Sequence, residues 1–229
     1  MGKIVKITPA LKAKTKRILD ALDERFGTTE WRSPWPPIHE LVCTILSQNT
    51  NDRNRDIAFN RLLEKYPTWD EVRDADSDEL IDCIRIAGLA NQKGPRIQQV
   101  LRDIEAERGS LDLTFLKEMS VEDALRWLTK FKGVGLKTAS IVLVFALDMP
   151  AFPVDTHIYR VSGRLGIRPE KMTADQAHAW LAQLIEPERY GPGHLNLIRL
   201  GREICHARKP DCPVCPVSAE CAWYKANYK

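Results

Sequence analysis

The sequence predicts an all-α chain. Apolar residues recur at helical spacing, as Leu11, Ile18, Leu22 and Phe26 do near the start. No alternating apolar–polar run persists, and the β-branched residues are spread through helical patterns. Neither an internal repeat nor a low-complexity tract interrupts this. A chain of 229 residues has room for one large or two small domains.

The elements follow in order. Thr8-Pro9 starts a helix over 9–26, and Gly27 to Pro37 is a Pro-rich connection that suits a domain boundary. A short apolar helix over His39 to Leu46 runs into Ser47-Gln48-Asn49-Thr50-Asn51-Asp52, whose capping residues start the next helix, Arg53 to Tyr66. Two short helices occupy Trp69 to Ile86. Gly88 to Gly94 is then expected as a flexible loop carrying an exposed Leu89, with Pro95 to Arg108 helical. Val121 to Phe131 is amphipathic, and Leu136 to Leu147 is an unbroken run of helix formers and apolar residues. Thr156 to Leu165, Thr173 to Ile185 and Gly193 to Ile204 complete the set.

Charged residues make up 28% of the chain, well mixed in sign, which excludes a disordered tail-like protein. A net charge of +3 is weakly basic, so a nucleic-acid surface would have to be a local patch. No apolar run approaches the ~20 residues of a membrane span, and the first residues lack a signal-peptide core. The expectation is a cytoplasmic protein, nucleoid-associated if it binds DNA.

Two stretches carry chemistry. In the first, Gly133-Val134-Gly135 joins two helical segments, a tight turn that feeds a helix N-terminus. Free N–H groups and a positive dipole end there suit a phosphate. Lys137 lies in the first turn of the second helix, and Asp155 follows in Pro153-Val154-Asp155-Thr156-His157. A lysine and a carboxylate beside such a turn suggest work on nucleic acid. A nucleotide-binding loop is excluded, because that pattern needs Gly directly before Lys-Thr, where this chain has Leu136, and a preceding strand. The plainer alternative is a helix–turn–helix with a surface lysine.

The second stretch holds Cys205, Cys212, Cys215 and Cys221 within 17 residues. Clustered cysteines in a cytosolic protein point to metal. Structural zinc usually takes two short Cys knuckles, and one is present here. The spacing favours an iron–sulfur cluster over zinc. Cys43 and Cys83 stand alone in apolar helical contexts and are expected as reduced core residues.

With these motifs in place, the sequence resembles the endonuclease III group of helix–hairpin–helix DNA glycosylases. The resemblance rests on GVGLKTASIVL, PVDTHIYRV, ILSQNTNDRN, GLANQK and CHARKPDCPVCPVSAEC, and covers nearly the whole chain. It implies a six-helix domain over 30–148 and a domain made from both chain ends, 1–29 and 149–229, that carries a [4Fe–4S] cluster on the four clustered cysteines. It further implies that Lys137 and Asp155 face each other across a DNA-binding cleft. Two departures stand out. The hairpin reads Phe131-Lys132-Gly133-Val134-Gly135 where Leu-Pro-Gly-Val-Gly is common, and Lys132 could contact phosphate. The polar segment is Ser-Gln-Asn-Thr-Asn-Asp where the best-known members have Ala-Gln-Ala-Thr-Asp. The adenine-excising relatives carry a catalytic Glu where this chain has Thr44, and lack the lysine.

The resemblance makes the protein a bifunctional DNA glycosylase and abasic-site lyase, a monomer acting on double-stranded DNA, with oxidised pyrimidines as the default lesions. Gln48 and Leu89 become the side chains that plug and wedge the stack after a nucleotide is flipped out; read by themselves they are a helix-terminal polar residue and a core leucine. An ordinary lysine, pKa near ~10.4, is almost wholly protonated at neutral pH. A helix N-terminus and partial desolvation favour the neutral amine, whereas a carboxylate favours ammonium. Asp155 is therefore expected to stabilise the cationic sugar and shuttle a proton, while capping the helix after it. Arg208 and Lys209, in the loop between two cysteines, are expected to contact phosphate. The alternatives are a mismatch-specific glycosylase and a non-catalytic damage-binding protein.

Overall fold

The structure is a computed structural model that describes residues 6–28, 32–33 and 35–228. Its described residues form helices and turns with no β-strand. They divide into two compact units, Met1–Arg32 with Pro150–Lys229, and Ser33–Met149. The boundary expected between residues 29 and 30 falls outside the described residues.

The continuous unit holds α2 (Pro37–Leu46), α3 (Asp52–Lys65), α4 (Trp69–Asp74), α5 (Ser77–Ile84), α6 (Ala90–Arg108), α7 (Val121–Thr129) and α8 (Leu136–Ile141). Side-chain caps start four of them. Asn51, Thr68 and Ser120 each accept an N–H of the first turn of α3, α4 and α7, and Asp76 accepts two at the start of α5. Helix α2 has no polar face to speak of, and every residue but His39 and Glu40 is buried. It packs on α3, α6 and α8. Leu41, Ile45, Leu46, Leu62, Ile84 and Ile97 are fully buried in this core.

The other unit is discontinuous in sequence. Helix α1 (Pro9–Phe26) supplies Ile18 and Leu22, which are fully buried, and packs on α10 (Ala174–Leu184) and α11 (Tyr190–Glu203). Helix α9 (Thr156–Leu165) lies against α11, and α12 (Ala222–Asn227) against α9. The approach of α9 to α11 depends on Gly201, where a Cβ would come within 2.8 Å of the His157 Cβ. No helix among the described residues is long and apolar enough to cross a membrane.

Three elements differ from expectation. The loop predicted over Gly88 to Gly94 is a two-residue reversal. Gly88 and Leu89 both take positive φ, 67° and 50°, and α6 begins at once with Ala90. Pro95, whose ring suits a first helical turn, lies inside that helix. The run to Leu147 stays helical but widens to a π-turn over Val142–Ala146. Helix α11 starts at Tyr190 and carries Gly191, Pro192 and Gly193 in its first turns; Gly193 lies against Leu19 of α1, so it serves helix packing and does not mark a boundary. Cys43 is buried as expected, whereas Cys83 is half-exposed.

Candidate active site and thiol centre

In the continuous unit, α7 leads through a tight hairpin into α8. Phe131 is buried edge-on against Trp127, and buried Val134 donates its N–H to the Phe131 carbonyl at 3.0 Å. These two anchors leave Lys132 and Gly135 exposed. Gly133 adopts φ +91°, and a Cβ there would come within 2.2 Å of the Arg96 side chain, so two independent constraints select glycine. Gly135 caps α8 without a side-chain acceptor, leaving first-turn donors for an outside oxygen. Lys137 is half-buried in that turn.

Gln48, just past the end of α2, meets this hairpin. Its Nε2 donates to the Gly133 carbonyl and its Oε1 accepts from Arg96 Nη1, both at 3.2 Å. Leu89 is the left-handed residue that caps α6, and 45% of it is exposed. A large apolar side chain held in water on a strained backbone is a feature to be explained by function, because a core leucine needs neither.

Lys93 went unread in the sequence. It is fully buried, and its ammonium donates to the Leu46 carbonyl at 2.7 Å and the Ala87 carbonyl at 2.8 Å. It thereby ties the end of α2, which delivers Gln48, to the turn that delivers Leu89. A lysine amid polar neighbours in GLANQK gives no signal of burial; the helical start at Ala90, which puts position 93 on the inner face, would have shown it.

The discontinuous unit supplies Asp155. Its Oδ1 accepts the Ile158 N–H at 2.7 Å, so it is the N-cap of α9 as well as half-exposed. The segment before it, Ala151 to Val154, is buried, and two buried histidines bond its carbonyls: His178 Nδ1 with Phe152 O and His194 Nδ1 with Pro153 O, both at 3.0 Å. A carbonyl can only accept, so each Nδ1 carries the proton. Burial holds His178 below its ordinary pKa, in the neutral form.

Cys205, Cys212, Cys215 and Cys221 line a single cavity, walled by Leu200, Val217 and Trp223 among others. Arg164 Nη1 and the Tyr224 N–H approach the Cys205 and Cys221 sulfurs, each at 3.4 Å. Among the described residues no three His, Cys, Asp or Glu side chains are drawn together tightly enough to hold a single ion. A many-atom cluster reaches farther than one ion, and a soft four-sulfur set with N–H donors around it fits an iron–sulfur group. Burial first, and the neighbouring cysteines after it, push the Cys215 thiol up to about 11. A cationic centre would favour the Cys215 thiolate against that burial. Arg208 and Lys209, between the first two cysteines, are exposed, Lys209 at φ +49°.

Lys93 generates a pH prediction. Burial lowers it to about 8, while the unfolded lysine keeps its proton to about 10.4. Between those values the unfolded chain binds more protons, so this group makes stability rise with pH. The denaturation midpoint of the wild type should therefore gain on that of Lys93→Met from pH 7.5 to 10. A gap that moves the other way would mean the two carbonyls outweigh burial and favour the ammonium.

Comparison with known proteins agrees with this geometry. A family model described as HhH-GPD superfamily base excision DNA repair protein matches residues 42–187. Endonuclease III of Thermotoga maritima is 34% identical over 193 residues, covering 84% of this chain and 86% of the relative. Its counterpart from Sulfolobus acidocaldarius is 36% identical over 191 residues, covering 82% and 83%. Among solved structures, a trapped endonuclease III–DNA covalent intermediate, the estranged-adenine complex, matches with a TM-score of 0.80 at 29% identity, covering 98% of this chain and all of that one. A thermostable thymine-DNA glycosylase matches with a TM-score of 0.79 at 21% identity over 95% and 99%, a likeness of fold alone. The chain belongs to the HhH-GPD superfamily of base excision DNA repair proteins and, within it, to the endonuclease III family of DNA glycosylases and abasic-site lyases.

Proposed function

We propose that this protein excises oxidised pyrimidines from double-stranded DNA and cuts the strand at the abasic site, with Lys137 as nucleophile and Asp155 as the carboxylate that steadies the reacting sugar. The carrying observation is Lys137 in the first turn of α8, directly after a hairpin whose N–H donors lack side-chain acceptors. The match to a covalent endonuclease III–DNA complex supports the same chemistry. The protein acts as a monomer, at the nucleoid.

The damaged nucleotide leaves the stack at a cost of a few kcal/mol. Gln48 fills the vacated space and Leu89 parts the neighbouring bases, a role that accounts for its exposure. The neutral Lys137 amine attacks C1′; the C1′–N bond breaks and the base departs with the electron pair, taking up a proton. Positive charge grows on the sugar in this step, and the Asp155 carboxylate opposes it. Ring opening gives a lysine Schiff base, which acidifies the C2′ proton. Its loss expels the 3′ phosphate, and water then releases the amine. Lys132, Gly133, Val134 and Gly135 hold the phosphate backbone beside the reacting sugar, with the buried Val134 fixing the turn.

Cys205, Cys212, Cys215 and Cys221 would hold a [4Fe–4S] cluster, which when bound fastens the loop between them. Arg208 and Lys209 then meet phosphates as a preformed basic edge, sparing on the order of a kcal/mol of ordering per residue.

Borohydride added during the reaction should trap a protein–DNA adduct that peptide mapping assigns to Lys137, and Lys137→Ala should lose the adduct but keep its affinity for abasic DNA. Persistence of the adduct in that variant would refute the assignment. Asp155→Asn should lower the single-turnover rate far more than binding. A change within about twofold, roughly 0.4 kcal/mol, would leave Asp155 a helix cap alone.

Lys209→Ala should weaken binding to all duplexes alike and reduce the salt slope by about one, for one lost phosphate contact, while the saturated rate and the brown colour expected of an iron–sulfur protein persist. Normal binding with slow cleavage would instead place the loop in the chemistry.

A further inference from the structure

A side-chain amide is ordinarily ambidextrous. Its terminal torsion is nearly two-fold, so a half-turn exchanges the NH₂ and the oxygen at little cost. Gln48 has lost that freedom. Its Nε2 faces the Gly133 carbonyl, which can only accept, and its Oε1 faces the Arg96 guanidinium, which can only donate. Reversal would set oxygen against oxygen and N–H against N–H, replacing two hydrogen bonds with two repulsions. The partners are themselves fixed. Arg96 projects from α6 next to fully buried Ile97, and its stem lies so close to Gly133 that no Cβ fits between them. One turn earlier on α6, Lys93 holds the Leu46 carbonyl, two residues before Gln48.

An amide has two N–H donors and two acceptor lone pairs. With one of each engaged, Gln48 keeps one donor and one acceptor, in a spatial order it cannot exchange. The Watson–Crick edges of the two purines differ in just this respect. Guanine offers an acceptor at O6 beside a donor at N1, and adenine offers a donor at N6 beside an acceptor at N1. A freely turning amide would serve both; a locked one serves one.

We propose that Arg96 is a specificity-determining positioning residue, which locks the Gln48 amide and so sets which base the enzyme accepts opposite the flipped nucleotide. The proposal rests on Gln48 filling the vacated space, as inferred above. A merely structural role for Arg96, which holds Gln48 and packs on Gly133, would slow reaction equally opposite every base.

The test uses duplexes with one abasic site opposite A, G, C or T, and strand cleavage at subsaturating enzyme. The wild type should separate A from G by about five- to tenfold, the scale of one or two mispaired hydrogen bonds. Arg96→Met removes one of the two locks and should narrow that ratio by about half or more, the Gly133 carbonyl still orienting the amide. Arg96→Lys, still donor-only, should retain most of it. If Arg96→Met does not fold by thermal melt, Arg96→Gln is read the same way, because its amide can face Gln48 with either end. An unchanged ratio with a uniform loss of rate would overturn the proposal, as would a wild type that does not distinguish the purines. Gln48→Ala separates the two levels. If it leaves rates and ratio at wild-type values, Gln48 does not contact the opposite base and the underlying reading fails. If it collapses the ratio while Arg96→Met leaves it unchanged, the role of Arg96 alone is lost.

Discussion

A buried ammonium must be met by oxygen, and that requirement organises one side of the continuous unit. Lys93 is sealed in the core, and the oxygens that meet it are the carbonyls of Leu46 and Ala87. Both are late carbonyls of helical segments, the groups that lack intrahelical partners. One lysine thus satisfies two helix ends and fixes two loops by the same contacts. The loop after α2 bears Gln48, and the reversal after Ala87 bears Leu89. Arg96, on the same face of α6, extends the arrangement to the hairpin through Gln48 and Gly133. The first turns of α6 therefore set the positions of three separate elements that the proposed reaction needs in register.

The discontinuous unit solves a related problem with two buried imidazoles. Asp155 would be poorly placed on a free loop, because a carboxylate that drifts loses its value as a counter-charge. Here the backbone ahead of it is buried and bonded at two successive carbonyls by His178 and His194, and the backbone behind it begins α9. Capping and the proposed chemistry do not compete for the side chain. The cap engages Oδ1, and a carboxylate has a second oxygen and further lone pairs.

The sequence was most legible where local chemistry decides structure. The caps at Asn51 and Asp155, the helix over 9–26 and the hairpin turn are all short-range features. It was least legible where a distant partner decides. The start of α6 was misjudged because Pro95 is a strong local signal, and nothing nearby tells that Leu89 will take a left-handed backbone. Lys93 and the two histidines were missed for the same reason, since Leu46, Phe152 and Pro153, which they bond, lie 47, 26 and 41 residues away. Glycine in α11 misled in a third way, being selected by a neighbouring helix and not by a helix end.

Distance in sequence also explains why the four cysteines belong where they are. They follow α11, whose last turns bring Ile204 to the core, and the chain beyond has only short helical turns of three residues before α12. Such turns bury little apolar surface and close few hydrogen bonds, so they cannot offset the entropy of ordering that stretch by themselves. Local protein contacts help: Arg164 from α9 donates to the carbonyls of His206 and Ala207, and Arg17 from α1 pairs with Glu220. These are exposed contacts of modest worth. Covalent-strength ligation at four points is a different order of constraint, and it would hold Arg208 and Lys209 outward without asking either to contribute to the core. On this view the thiol centre stands to the basic loop as Lys93 stands to Gln48 and Leu89: a buried group that spends its own bonding on position, leaving the exposed residues free for the proposed contacts.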